Sequence, residues 1–85
     1  MTDDSAQARV AAVVRRLLAD RSLNTAVKPD DDLRAAGLTS LDMISLVLAV
    51  EAEFGLLVPE THIKPDNFQS VTAISGLVTT LLSNG

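Results

Sequence analysis

No cysteine, tryptophan or tyrosine occurs in the 85 residues, and phenylalanine occurs only twice. Without cysteine there is no disulfide, no thiolate nucleophile and no cysteine-based metal site. Any reactive thiol would have to come from an added group. Without large aromatics, Leu, Val and Ile must build the core, and a hydrophobic content of 47% is enough for a fold. A chain this short buries a modest share of its surface, which argues against a large enclosed active site. Basic charge is scarce as well. Seven Lys and Arg against eleven Asp and Glu leave a net charge of −4. Nucleic acid usually requires a basic surface, so this balance argues against it and favours partners with basic patches. No apolar run is long enough to span a bilayer. The stretch from Met1 to Arg9 is acidic and polar, unlike a signal peptide, and cytoplasm is the expected location.

What is present is a set of helical patterns. Ala6, Val10, Val13 and Leu17 recur at three- and four-residue steps, widened by Val14 and Leu18, with Arg9, Arg15 and Arg16 mostly off the stripe. This predicts an amphipathic helix over residues 5 to 19, preceded by the capping residues Asp3, Asp4 and Ser5. In the connection from Asp20 to Thr39, Asn24, Pro29 and the Asp30-Asp31-Asp32 run interrupt any regular pattern. Leu23, Val27, Leu33 and Leu38 are expected to pin it to the core, with a short turn of helix at 30 to 35. A connection this long is expected to cross the bundle and leave its flanking helices closer to parallel than a short loop would allow. Residues 40 to 54 form the next helix, capped by Thr39 or Ser40 and ended by Gly55. Thr39 followed by Asp42 resembles a capping box with Asp in place of Glu. Leu56 to Val58 is apolar but has no convincing strand partner. Pro59 opens a brief helix that ends near Ile63, and Pro65 stops it. Ser70 caps a last helix with Val71, Ile74, Leu77, Val78 and Leu81 on its buried face. Gly76 within that helix costs propensity.

The central helix carries two apolar stripes. Leu46, Val47, Val50 and Phe54 form one, and Leu41, Ile44 and Leu48 form the other. That exceeds what one small core requires, so either the helix is nearly central or the surplus meets something else. At its start, the Ser40 hydroxyl lies beside unpaired backbone N–H groups and the positive end of the helix dipole. Such a place suits a capping residue or one that carries a phosphate ester. The pattern alone leaves both open.

The run from Asp32-Leu33 through Gly37-Leu38-Thr39-Ser40-Leu41-Asp42 to Glu51-Ala52-Glu53-Phe54 resembles the acyl and peptidyl carrier proteins. The likeness continues through Val58-Pro59 and Phe68-Gln69-Ser70-Val71, with Ile74 behind, and covers about two thirds of the chain in the family's order and spacing. It implies an all-α four-helix bundle of the acyl-carrier type, with a long first loop and a short third helix. This would be a single domain over residues 1 to 85, with loose ends at 1 to 4 and 83 to 85. The resemblance further implies a covalent 4′-phosphopantetheine arm on Ser40, attached by a phosphopantetheinyl transferase, whose thiol holds acyl or aminoacyl groups as thioesters. Implied partners are an adenylating acyl or aminoacyl ligase and a downstream transferase or synthase. They are expected to dock on Leu41, Ile44 and Leu48, with Asp42 and Glu51 at the polar rim. A monomer with no catalytic residues of its own is expected. The missing thiol agrees, since a prosthetic group would supply the chemistry. Tethering would raise the cargo's effective concentration at a docked partner.

Thr39 stands where the family usually has Asp, and many members carry Glu where this chain has Ser45 and Ala52. The central helix therefore offers less acidity and more apolar surface, which counts against efficient use by fatty-acid synthesis enzymes with basic docking sites. The passage from Ile63 to Phe68 looks closer to free-standing carriers of specialised pathways, including those loaded with amino acids by separate ligases. Two rivals come from other classes. One is a cofactor-free helical adaptor that binds partners through Leu41, Ile44 and Leu48. The other is a small hydrolase using Ser40, which lacks an identifiable base and oxyanion group. The Asp30 to Asp32 run lacks the glycine and later Glu of a calcium loop and reads as a solvated turn. His62, the sole histidine, has no second metal ligand in view and reads as a surface residue. Arg15, Arg16 and Arg21 read as a solvated helix edge.

Overall fold

The computed structural model describes residues 5–23 and 26–84, so the loose end expected at 1 to 4 lies outside the described residues. Ser5 begins the first helix, its Oγ accepting from the Ala8 N–H at 3.2 Å. α1 spans Ala6–Asp20. It ends in a left-handed turn at Ser22 (φ 58°), where the Leu23 N–H reaches the Leu18 carbonyl at 2.8 Å. α2 spans Ser40–Phe54 and stops at Gly55, whose φ of 64° is readily adopted only by a residue without Cβ. α3 spans Val71–Asn84, with Ser70 Oγ accepting from the Ala73 N–H at 3.1 Å. Residues 83 and 84 are therefore helical where a loose end is expected.

Among the described residues the bundle has three α-helices, not the four expected. In place of the third stand two 3-10 turns, Glu60–His62 and Pro65–Phe68. The prolines explain this. Pro65 lacks an N–H, and its ring forces Lys64 into an extended conformation (φ −129°, ψ 148°), so no α-helical ladder can run through the segment. Each remaining piece is long enough only for a tight i→i+3 turn. Pro65 thus opens a second turn as well as closing off the first. The helical turn expected at 30 to 35 is likewise a run of turns over 33–37, and 56–58 has no regular secondary structure.

A second expectation is also overturned. Arg9, early in α1, bonds Glu53, late in α2, at 2.9 Å, while Arg21, just past α1, bonds Asp42 in the first turn of α2. The two helices are antiparallel, not shifted closer to parallel by the long connection. The long connection instead reaches out to the start of α3: the Leu33 N–H bonds the Gln69 carbonyl at 2.8 Å, and the Thr72 N–H bonds the Pro29 carbonyl at 3.0 Å. Leu33 and Leu38 are buried as expected, and Leu23 and Val27 pack at the edge of the core.

The core joins Val10, Val13, Val14 and Leu18 of α1, Leu46, Val47 and Val50 of α2, and Val71, Ile74 and Val78 of α3, closed by Leu33, Val58 and Phe68 from the connections. Gly76 marks no close approach: a Cβ there would meet nothing within 4 Å. Among the described residues, no helix is long and apolar enough to cross a membrane.

Candidate functional site

The start of α2 is held by a reciprocal pair. Thr39 is extended (φ −95°, ψ 178°), and its Oγ1 accepts from the Asp42 N–H at 3.3 Å. Asp42 Oδ2 in turn accepts from the Thr39 N–H at 2.7 Å. This is the capping box the sequence predicts, and it makes Thr39 the cap. Ser40 is then the first helical residue, exposed, and among the described residues its hydroxyl has no hydrogen-bond partner. The turn before it depends on Gly37 (φ 111°), where a Cβ would come within 3.1 Å of Leu23 Cδ1. An exposed hydroxyl that the fold does not use, next to N–H groups without intrahelical partners, fits a covalent phosphate ester.

Asp42 turns inward instead of standing at a docking rim. It is 6% exposed, and its carboxylate also receives the Arg21 guanidinium. The Thr39 backbone N–H, followed by the Arg21 side chain, holds its carboxyl below the ordinary value of 3.8. A depressed carboxylate contributes stability that is present above the unfolded-state value and lost as pH falls through the folded one. Wild-type protein should therefore lose stability below about pH 4. Asp42→Asn, whose amide oxygen can still accept from the Thr39 N–H, should show a flatter acid branch. Denaturation midpoints across an acid series compare the two, and parallel curves would count against the assignment.

The other acids of α2 are also engaged within the chain. Glu51 Oε2 accepts from the Val58 N–H at 2.9 Å, tying down the segment after Gly55. Glu53 is gripped by Arg9 at 2.9 Å and Arg16 at 3.4 Å, and the Arg9 hydrogen bond leads in lowering its pKa. Arg16 and Arg21 are thus helix ties rather than a merely solvated edge. By contrast, Leu41, Ile44 and Leu48 are 75%, 57% and 62% exposed on one side of α2. The surplus stripe faces solvent.

Beside Ser40 a cavity of about 210 Å³ opens between α2 and the 3-10 segment. Met43, Ile44, Val47, Ile63, Pro65 and Phe68 line it, together with Arg34 and Lys64. Sequence reasoning missed this site, because its members come from three segments that no periodicity relates. His62 is half-buried, and its carbonyl accepts from Asn67 Nδ2 at 2.8 Å. Among the described residues, no three His, Cys, Asp or Glu gather into a candidate metal site.

A family model described as "Phosphopantetheine attachment site" matches residues 8–78. The chain is 40% identical over 79 residues to "Aminoacyl carrier protein 2" of Bradyrhizobium diazoefficiens, which covers 93% of this chain and 89% of the relative. It is 42% identical over 74 residues to "Aminoacyl carrier protein 1" of the same organism, covering 87% and 82%. Among solved structures, it is similar to a chain in the crystal structure of Bradyrhizobium japonicum glycine:[carrier protein] ligase complexed with its cognate carrier protein and an analogue of glycyl adenylate. That match has a TM-score of 0.80 at 39% identity and covers 88% of this chain and 96% of the other. A structure of the same ligase with glycylated carrier protein gives a TM-score of 0.78 at 38% identity, covering 85% and 96%.

Proposed function

The chain belongs to the phosphopantetheine-attachment family of acyl and aminoacyl carrier proteins, and we propose that Ser40 bears the arm and that the cargo is a small aminoacyl group. As a carrier it holds acyl or aminoacyl groups as thioesters and is a substrate of partner enzymes rather than an enzyme. When bound, the arm supplies the thiol that the sequence lacks. The observation that supports Ser40 best is its exposed hydroxyl directly after the Thr39 cap, without a partner among the described residues. The chain's own part is positional. The Gly37 turn and the Thr39–Asp42 box fix where α2 begins and direct the hydroxyl outward.

A phosphopantetheinyl transferase attaches the arm, an adenylating ligase loads it, and a downstream transferase or synthase removes the cargo, with the carrier a cytoplasmic monomer. The aminoacyl reading is supported by the relatives, which are aminoacyl carriers, and by similar chains found with a glycine ligase. It is also supported by an α2 whose outward face is apolar and whose acids are bound internally. Leu41, Ile44 and Leu48 form the docking centre, while Asp42 and Glu51 support it by holding α2 and its exit.

Interface centres dominate affinity over their rims. With holo-protein, ATP, glycine and an adenylating glycine ligase, Ile44→Ala should lower kcat/KM of loading about tenfold, equivalent to about 1.4 kcal/mol. Glu51→Gln should cost less, since its amide oxygen can still accept from Val58. The opposite ranking would refute this docking surface. Efficient elongation by a fatty-acid synthase system, with no loading by any amino-acid ligase, would defeat the aminoacyl cargo and leave the arm in place.

A further inference from the structure

We propose that Arg34 and Lys64 clasp the phosphodiester of the arm and hold its first segment over the cavity beside Ser40. The inference rests on Ser40 being the attachment residue. In a chain with a net charge of −4, the two charged side chains that share this cavity with Ser40 among the described residues are both cations, and no described carboxylate lines it. An ester of Ser40 would bring a permanent anion to that cavity. Charge-assisted hydrogen bonds from guanidinium and ammonium are the ordinary protein answer to such a group.

Both cations are free to serve. The Arg34 guanidinium has only a long approach to Asp32 (Nε to Oδ1, 3.8 Å), and that oxygen already accepts from the Arg34 backbone N–H at 2.9 Å. Most of its five donors therefore remain open. Among the described residues, Lys64 has no ion-pair partner. Their backbones are nevertheless fixed. Arg34 follows the fully buried Leu33, whose N–H is bonded to Gln69. Lys64 is held extended before Pro65, its N–H bonded to the His62 carbonyl and its own carbonyl accepting from the Asn67 N–H, each at 3.0 Å. The next part of the arm meets the apolar lining of Met43 and Ile63. Because both cations are exposed, the clasp biases the arm rather than locking it, and salt weakens it.

Phosphorus NMR of the holo-protein tests this after intact mass has established the modification. In wild type the phosphodiester resonance should be shifted and broadened relative to Arg34→Gln/Lys64→Gln, in which that shift is lost and the line narrows. About 0.5 M NaCl should produce the same change in wild type. Lys64→Arg should retain the wild-type resonance, and Arg15→Gln/Lys28→Gln, an equal charge loss elsewhere, should leave it unmoved. An identical resonance in wild type and the double variant overturns the clasp while the Ser40 assignment stands. A Ser40 that gains no mass overturns both.

Discussion

Replacing Ser40 with Ala should abolish attachment of the arm, and with it all loading, while leaving stability within about 0.5 kcal/mol of wild type. Loss of function without loss of fold follows from the division of labour at the start of α2. Had Ser40 been the cap, its removal would cost about 1 kcal/mol. Here Thr39 Oγ1 accepts from Asp42 and Asp42 answers Thr39, so among the described residues the Ser40 hydroxyl takes no part in the fold's hydrogen bonds. Ala in a helix also has the better intrinsic propensity. Thr39→Ala should show the reverse profile, a stability loss of about 1 kcal/mol with modification retained. Intact mass after incubation with coenzyme A and a broad-specificity phosphopantetheinyl transferase reads the first property, and urea unfolding reads the second. An alanine variant that gains the wild-type mass would refute Ser40 as the attachment residue.

The helices were legible because their signals are local. The Val10, Val13, Leu17 spacing, the Thr39–Asp42 pair and Gly55 placed α1 and α2 almost to the residue. The carrier resemblance led to Ser40 for the same reason, since its motif is one continuous run. It also carried a bundle of four helices into a chain whose own Lys64-Pro65 step forbids the third, although both prolines were visible. The direction of α2 was lost differently. Arg16 and Arg21 read as solvated, and only the fold shows them reaching Glu53 and Asp42 across 37 and 21 residues. Glu51 and Asp42 looked like rim charges for a similar reason. The resemblance put them at a docking rim, but the partners that engage them, the Val58 N–H and Arg21, lie on other segments. The cavity combines Arg34, Met43 and Lys64, and nothing short of tertiary structure brings these together.

Phe68→Ala should lower stability by about 3–5 kcal/mol, the largest effect expected of a single core exchange here. Phe68 is 2% exposed and is one of two aromatic residues in a core otherwise built from aliphatic side chains. A domain of this size has about 5–15 kcal/mol to lose, so the variant should be partly unfolded near physiological temperature. The cost is not only the missing ring. A 3-10 turn has poor hydrogen-bond geometry and little stability of its own, so Pro65–Phe68 is held in place mainly by what Phe68 buries. The adjacent Gln69 carbonyl anchors Leu33, and through it the connection that leads to Gly37 and Thr39. Removing the ring also enlarges the cavity of about 210 Å³ that it lines, and a larger residual cavity raises the penalty. Phe68→Leu keeps most of the volume and should cost less than half as much. Urea unfolding followed by circular dichroism measures both, and a loss below about 1 kcal/mol for the alanine variant would show that the 3-10 segment is held by something other than Phe68. The two losses should remain separable. At low temperature, where Phe68→Ala still populates the native state, Ser40 should be modified normally, because the Thr39–Asp42–Arg21 cluster that presents it lies on α2 and the end of α1 and contains no part of the 3-10 segment.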